Sequence, residues 1–188
     1  MIFSEQSKLL IAHWEGFQDV KRAEERLAVE MSKYLIRLFD DFRKSERWSS
    51  SWHVKYVDEK QLCLWRDNWV ENGESLVWIG IEQFKIETVF GEDGTAQLYV
   101  WVSDKQAVDL IQELRKTLNN GDNTGEIQGK YTAGQYIIKR TLPKCLPNEI
   151  DEFESRIGGA IRLFIEKYIS EEKIITEAIE SYRKTKKA

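Results

Sequence analysis

Hydrophobic and polar side chains alternate most regularly in the centre of the chain, between Leu76 and Asp104. Residues 77–82, VWIGIE, keep a period of two, and the period resumes in residues 98–102, LYVWV, after the turn residues 91–94, GEDG. A period of two is typical of a β-strand, and turn residues between two such strands indicate a hairpin. We therefore predict one long β-hairpin over Leu76–Asp104. Since both of its faces carry apolar side chains, we expect helices to cover one of them.

Further strands are predicted on either side of this hairpin. Trp52–Val57 and Gln61–Asp67 are separated by a short polar turn, and Asn72–Gly73 marks the bend before the hairpin. After the polar loop 119–125, β character resumes over residues 127–141. These segments together predict a mainly antiparallel sheet of about five strands.

Helical spacing dominates residues 4–44, where apolar side chains recur at intervals of three and four. The positions are Leu10, Trp14, Phe17, Leu27, Met31, Tyr34, Leu35, Leu38 and Phe42. An unbroken helix of this length would extend ~60 Å. We therefore expect either a break between Gly16 and Arg26 or a helix that projects and pairs with a partner.

A second long helical region is predicted from Pro147 to about Tyr182, with bends at Gly158–Gly159 and at Ser170–Glu172. A shorter helix over residues 104–118 is inserted within the sheet region and can be capped by Ser103 or Asp104. If the two long helical regions did not cover each other, apolar stripes would stay in water, and such stripes usually mark an interface. A homodimer is therefore left open beside a monomer.

The predicted fold class is α+β, with the sheet packed by long N- and C-terminal helices and one middle helix. A chain of 188 residues suits one domain. We expect a single domain over residues 1–188, with a helical region at 1–47, a sheet region at 52–141 and a second helical region at 147–185.

Composition excludes several classes of protein. With 32% charged and 41% hydrophobic residues, the chain has the balance of an ordinary globular domain. The two cysteines do not form a disulfide framework, and no apolar run reaches the roughly 18 residues of a membrane helix. No secretory leader is recognisable, so a cytoplasmic location without membrane attachment is expected.

Negative charge is concentrated in the centre of the chain. Residues 67–104 contain eight acidic side chains and one basic side chain, Lys85, whereas the flanking segments are close to neutral. Such a segment attracts basic partners and repels phosphate backbones, so nucleic acid is not expected on the sheet. The alternative interpretation is a solvated strand face whose charges prevent aggregation.

Catalytic chemistry has little support in the sequence. The only histidines are His13 and His53, and no phosphate loop, nucleophile elbow or zinc motif occurs. We predict no catalytic residue, no metal site and no cofactor. A carboxylate-dependent enzyme remains the alternative, although Glu82 and Glu87 have opposite parity and would point to opposite faces of one regular strand.

Tryptophan is the most unusual component, with seven in the chain. The simplest expectation is core packing beneath the helices, and the functional alternative is an exposed platform of aromatic rings for a cationic or basic partner. The candidate binding residues are Trp65, Trp69, Trp78, Glu82, Glu87 and Trp101.

The segment 52–118 resembles sheet regions of bacterial and phage proteins of the PD-(D/E)XK nuclease superfamily. The residues that carry the resemblance are Trp52–Val54, the Trp65-to-Trp69 spacing, Val77–Ile81 and Leu98–Val102. The catalytic carboxylate and (D/E)-x-K pattern of that superfamily does not map onto this chain. The resemblance implies a non-catalytic relative in a defence, counter-defence or immunity system.

We accordingly expect a non-enzymatic protein-binding module that uses the acidic, Trp-rich hairpin. The alternative is a small-ligand-binding protein or a degenerate nuclease relative.

Overall fold

The computed structural model describes residues 4–46, 48–58, 61–91, 94–104, 106–118 and 134–187. It confirms the α+β class. The strands are β1 (Trp52–Asp58), β2 (Gln61–Arg66), β3 (Val70–Glu71), β4 (Glu74–Ser75), β5 (Val77–Glu82), β6 (Gln97–Val102) and β7 (Gln135–Thr141). Five of them form an antiparallel sheet in the order β1-β2-β5-β6-β7. The helices are α1 (Glu5–Ala12), α2 (Trp14–Arg43), α3 (Ile86–Val89), α4 (Val108–Leu118), α5 (Gly159–Ser170) and α6 (Glu172–Lys187).

The predicted hairpin is present as the antiparallel pair β5 and β6, in which Val77 lies opposite Val102 and Trp78 lies opposite Trp101. Its strands are shorter than predicted because β5 ends at Glu82. Gln83 then adopts a positive φ of 57°, which breaks the extended backbone, and the short helix α3 follows. The small β3–β4 hairpin turns at Asn72 and Gly73, as the sequence predicts.

The inner face of the sheet is aliphatic and forms the core with the helices. The side chains of Leu62, Leu64, Ile79, Ile81 and Val100 have no solvent exposure. They belong to one hydrophobic cluster with apolar side chains of α2, α4, α5 and α6. Because strand side chains alternate, every second residue of these strands points to the other face.

The predicted break between Gly16 and Arg26 is wrong, because α2 runs through this stretch as one helix of 30 residues, roughly 45 Å long. The break lies earlier, at His13, where φ is −114° and ψ is 27°. The polar stretch 21–26 contains strong helix formers, so it interrupts the apolar stripe without interrupting the helix. Only the second half of α2 enters the core, through Met31, Leu35, Leu38, Phe39 and Phe42.

The C-terminal region begins with short 3₁₀ and π turns over Pro147–Glu152 and Glu154–Gly158 and continues as α5 and α6, which meet at the predicted bend at Glu171. Ile175 and Ile179 are fully buried, so this stripe is covered within the chain.

The middle helix begins at Val108, after the Asp104 side chain accepts a hydrogen bond from the Gln106 backbone N–H at 2.8 Å. The predicted loop 119–125 and the predicted strand onset at 127–133 lie outside the described residues. In the described ranges, no helix is long and apolar enough to cross a membrane.

Candidate functional site

The outer face of the sheet is aromatic. Cys63, Tyr99 and Tyr136 form a hydrophobic cluster that is separate from the core, and the partly exposed Trp78 and Trp101 pack against it. Strand register explains this grouping, because Trp101 lies opposite both Trp78 on β5 and Tyr136 on β7. The helices of the described part of the chain contribute their buried side chains to the other cluster. We call this surface the open face.

A pocket of about 330 Å³ lies in the middle of the open face. This volume is within the range of sites that bind small molecules or single side chains. We call it the aromatic pocket. Its lining residues are Lys55, Val57, Gln61, Cys63, Trp78, Glu82, Tyr99, Trp101 and Tyr136.

Two glycines make room for the rings of this surface. A Cβ atom on Gly80 would lie 2.4 Å from the Leu62 carbonyl oxygen and 2.7 Å from the Tyr99 hydroxyl. A Cβ atom on Gly134 would lie 2.4 Å from the Trp101 ring. Since such distances are too short for real carbon contacts, the absence of a side chain at both positions is what allows the two rings to approach the backbone this closely.

Glu82 is held by a polar cluster at one side of the pocket. The Tyr136 hydroxyl lies 2.6 and 2.8 Å from the two carboxylate oxygens and donates its hydrogen bond to this group. The Lys139 ammonium is 3.5 Å from Glu82 Oε1 and lies 4.4 Å from the centre of the Tyr136 ring. The carboxylate is therefore neutralised within the chain, and one cation already lies over an aromatic ring of the site.

The floor of the pocket is uncharged. Gln61 Nε2 donates to the Tyr99 hydroxyl at 3.2 Å, and burial raises the pKa of Tyr99. Burial also raises the pKa of the Cys63 thiol to about 12. Because the thiolate is the nucleophilic form of cysteine, a thiol with this pKa is unreactive at neutral pH. Cys63 therefore contributes an apolar contact to the pocket.

A row of rings in contact extends from the pocket towards β1. The ring centre of Trp65 lies 4.8 Å from that of Trp78 with the planes tilted by 54°, and His53 stacks on Trp65 at 5.3 Å between ring centres. His53 Nε2 lies 2.5 Å from Asp67 Oδ1, which fixes the outer end of the row. At the other end Trp101 meets Tyr136 edge-on at 4.6 Å. The aromatic surface therefore crosses β1, β2, β5, β6 and β7.

The structure brings four of the six predicted binding residues together on the open face: Trp65, Trp78, Trp101 and Glu82. Trp69 lies elsewhere because the chain turns through a 3₁₀ segment at Asp67–Trp69, which directs its ring into the core. Trp69 has no solvent exposure and donates its indole N–H to Thr176 Oγ1 at 3.0 Å. Its ring is therefore part of the core and not of the open face.

Glu87 is also separated from the open face. It lies exposed on α3, beside a groove between α3 and α2. The expected opposite orientation of Glu82 and Glu87 on one strand is wrong, since only Glu82 belongs to β5. No group of three potential metal ligands occurs among the residues that the structure describes.

Sequence reasoning does not select Lys55, Tyr99, Tyr136 or Lys139. The sequence does allow Tyr99 to be placed on the same face as Trp101, because the two residues are two positions apart on one strand. The other three come from β1 and β7, and their position depends on strand order, which periodicity alone does not specify.

The acidic side chains of the central segment do not gather at the pocket. Glu71, Glu74 and Asp104 line a shallow depression near the β3–β4 hairpin, where Lys186 pairs with Glu71 at 3.3 Å. Among the residues that the structure describes, the charged groups of the pocket and its polar cluster are Lys55, Lys139 and Glu82, whose formal charges sum to a small positive value. The negative charge of residues 67–104 along the sequence therefore does not predict the charge of the pocket.

No protein family model, no curated protein and no solved structure matches the chain significantly.

Proposed function

We propose that the chain is a non-enzymatic, cytoplasmic protein-binding module, and that its recognition site is the aromatic pocket. The observation that carries the proposal is the pocket itself, where partly exposed Trp78 and Trp101 line a concave surface on the open face. Tryptophan and tyrosine are enriched where proteins bind one another, because they combine a large apolar area with a hydrogen-bonding group and few rotatable bonds. Two such rings beside a cavity suit the insertion of one side chain of a partner.

The charges of the pocket favour an aromatic or apolar side chain with an acidic or neutral neighbour. Lys139 already neutralises Glu82 and lies over the Tyr136 ring, where the cation of a basic ligand would otherwise bind. Lys55 is exposed at the pocket wall and attracts a carboxylate. A basic partner stays a prediction for the depression that contains Glu71, Glu74 and Asp104.

The proposal is tested with peptides selected for binding to the wild-type protein from a random displayed library. Trp78→Ala should weaken binding of the selected peptides at least tenfold, because it removes one wall of the pocket. Leu163→Ala is the control, since it removes an apolar side chain that is 72% exposed on α5 and lines neither the aromatic pocket nor the surface of α2, and it should change affinity less than twofold. Equal binding by wild type and Trp78→Ala would reject the pocket as the recognition site.

The charge assignment has a separate test in the same assay. Lys55→Glu should weaken the selected peptides and shift a new selection towards basic sequences. If wild type instead selects Lys- and Arg-rich peptides that Lys55→Glu binds more tightly, the partner is basic, as the central segment's charge predicts.

A small planar ligand is the second candidate, and the volume of the pocket favours it, because about 330 Å³ falls within the small-molecule range. A thermal-shift screen with nucleotides, planar carboxylates and divalent cations distinguishes the two. Stabilisation of about 3 °C or more, roughly 1 kcal/mol, that disappears in Trp78→Ala would favour the ligand. The bacterial or phage setting implied by the nuclease-superfamily resemblance stays a prediction, and the binding role does not depend on it.

A further inference from the structure

The first half of α2 exposes large apolar side chains. Trp14 is 54% exposed and Phe17 is 51% exposed, whereas Met31, further along the same helix, is 4% exposed. These positions belong to one set that recurs at alternating intervals of three and four residues, the spacing of a coiled-coil seam. We call it the heptad stripe; it consists of Trp14, Phe17, Lys21, Glu24, Ala28 and Met31.

The last four positions of the heptad stripe form one wall of a groove. A groove of about 320 Å³ lies between α2 and α3, and its lining includes Lys21, Glu24, Ala28, Met31, Phe84 and Ile86. One end of the stripe therefore offers two exposed rings, and the other end offers a partly apolar groove. None of these groove residues lines the aromatic pocket.

We propose that two copies of this chain pair antiparallel through α2, so that Trp14 and Phe17 of each copy enter the α2–α3 groove of the other. With Lys21 opposite Glu24 of the second copy, Phe17 lies opposite Ala28 and Trp14 lies opposite Met31. The two-fold axis then passes between residues 22 and 23, and every contact occurs twice, as an isologous interface requires.

Charge and size select this arrangement from its alternatives. A parallel pair would place Lys21 against Lys21 and Glu24 against Glu24, which is repulsive. An antiparallel pair shifted by one heptad would place Lys21 against Met31 and leave its ammonium against an apolar side chain. In the proposed register both charges are paired, and the small Ala28 leaves room for the bulky Phe17.

The unusual composition of the stripe supports a second copy as the occupant. Lys21 and Glu24 interrupt an otherwise apolar seam, and neither forms an ion pair within the described ranges of the chain. Charged residues within a seam reduce its stability but fix its register and orientation. A lysine and a glutamate three residues apart are self-complementary only when the two helices run in opposite directions.

The test uses charge reversal and light scattering over a hundredfold dilution. Wild type should show twice the 22.2 kDa of one chain at high concentration. Lys21→Glu and Glu24→Lys should each shift the dimer dissociation constant upward at least tenfold, since each places two like-charged pairs in its own homodimer. Circular dichroism should be unchanged, because both side chains are exposed.

Mixing the two single variants provides the decisive control. In a heterodimer, the carboxylate introduced at position 21 of one variant would face the ammonium introduced at position 24 of the other. The unchanged Glu24 of the first variant would face the unchanged Lys21 of the second, so both pairs become attractive and the dimer mass should return. An effect of the substitutions within a single helix cannot produce this recovery. Wild type that stays at the monomer mass, single variants that stay dimeric, or a mixture that stays monomeric would each overturn the proposal.

Discussion

The two faces of the sheet are both apolar, yet they differ in the kind of apolar residue they carry. The inner face presents leucine, isoleucine and valine, and the helices bury the side chains at its centre. The open face presents tyrosine and tryptophan: the hydroxyls of the buried Tyr99 and Tyr136 bind Gln61 and Glu82, whereas Trp78 and Trp101 stay partly exposed. The comparison shows that apolar periodicity alone does not decide burial. In this sheet the aliphatic face is covered by helices, whereas aromatic side chains, which combine an apolar ring with a polar group, lie at a boundary with water.

The largest effect should come from the inner face. Ile79→Ala should lower the free energy of unfolding by about 3 kcal/mol, because the side chain is fully buried and its removal leaves a cavity. Trp78→Ala changes the neighbouring residue, which lies on the other face. It should lower the free energy of unfolding by less than Ile79→Ala although it removes more atoms, because water already reaches the pocket beside Trp78. Urea unfolding measures both. A larger loss for Trp78→Ala than for Ile79→Ala would mean that the open face is part of the core.

The second prediction concerns the backbone beneath the aromatic rings. Gly80→Ala should lower the free energy of unfolding by about 2 kcal/mol, because its new Cβ would clash with the Leu62 carbonyl and the Tyr99 ring. Gly16→Ala is the matched control. No atom lies within 4 Å of a Cβ at Gly16, so the same substitution in α2 should raise the stability by roughly 0.5–1 kcal/mol. Equal effects of the two substitutions in urea unfolding would contradict this explanation of the open face.

The polar cluster of the open face should contribute less. Tyr136→Phe removes the hydroxyl that donates to Glu82 and should lower the free energy of unfolding by about 1.5 kcal/mol. A double-mutant cycle with Glu82→Gln measures the coupling between the two groups. Independent, additive effects would show that the hydrogen bond contributes no stability.

The smallest effect is a dependence on pH. The pKa of Cys63 rises from 9.0 to about 12 on folding, so above about pH 9 the unfolded thiol loses a proton that the folded thiol keeps. The folded state is therefore penalised as pH rises, by roughly 1 kcal/mol at pH 10. Between pH 7.5 and pH 10, the free energy of unfolding of the wild type should therefore fall by roughly 1 kcal/mol more than that of Cys63→Ala. An identical pH dependence in the variant would show that Cys63 ionises equally in both states.

Much of the fold follows from local signals in the sequence. The period of two over residues 77–82 and 98–102 predicts strands that the structure pairs in register, and Asn72–Gly73 predicts a turn that is present. The predicted break in the N-terminal helix is wrong, because a change in the apolar pattern does not require a change in the backbone. Lys21–Arg26 lies within α2, since its residues favour the helix although they do not face the core.

The candidate site is only partly predictable. Trp78 and Trp101 can be paired from their positions in one hairpin, and the structure places them opposite each other. Trp69 cannot be assigned from the sequence, because its direction depends on a 3₁₀ turn that redirects the side chain into the core. Tyr136 and Lys139 lie on β7, far along the chain, and reach the pocket only through the pairing of β6 with β7.

The most direct test of a recognition role for the open face is an NMR titration of ¹⁵N-tryptophan-labelled protein with a selected peptide. The chain has seven indole N–H groups, and single substitutions can assign them. Binding in the aromatic pocket should shift the signals of Trp78 and Trp101 and leave those of Trp52 and Trp69 in the core and Trp14 on α2 unchanged. Shifts at Trp14 without shifts at Trp78 and Trp101, or equal shifts at all seven, would contradict the assignment of recognition to the open face.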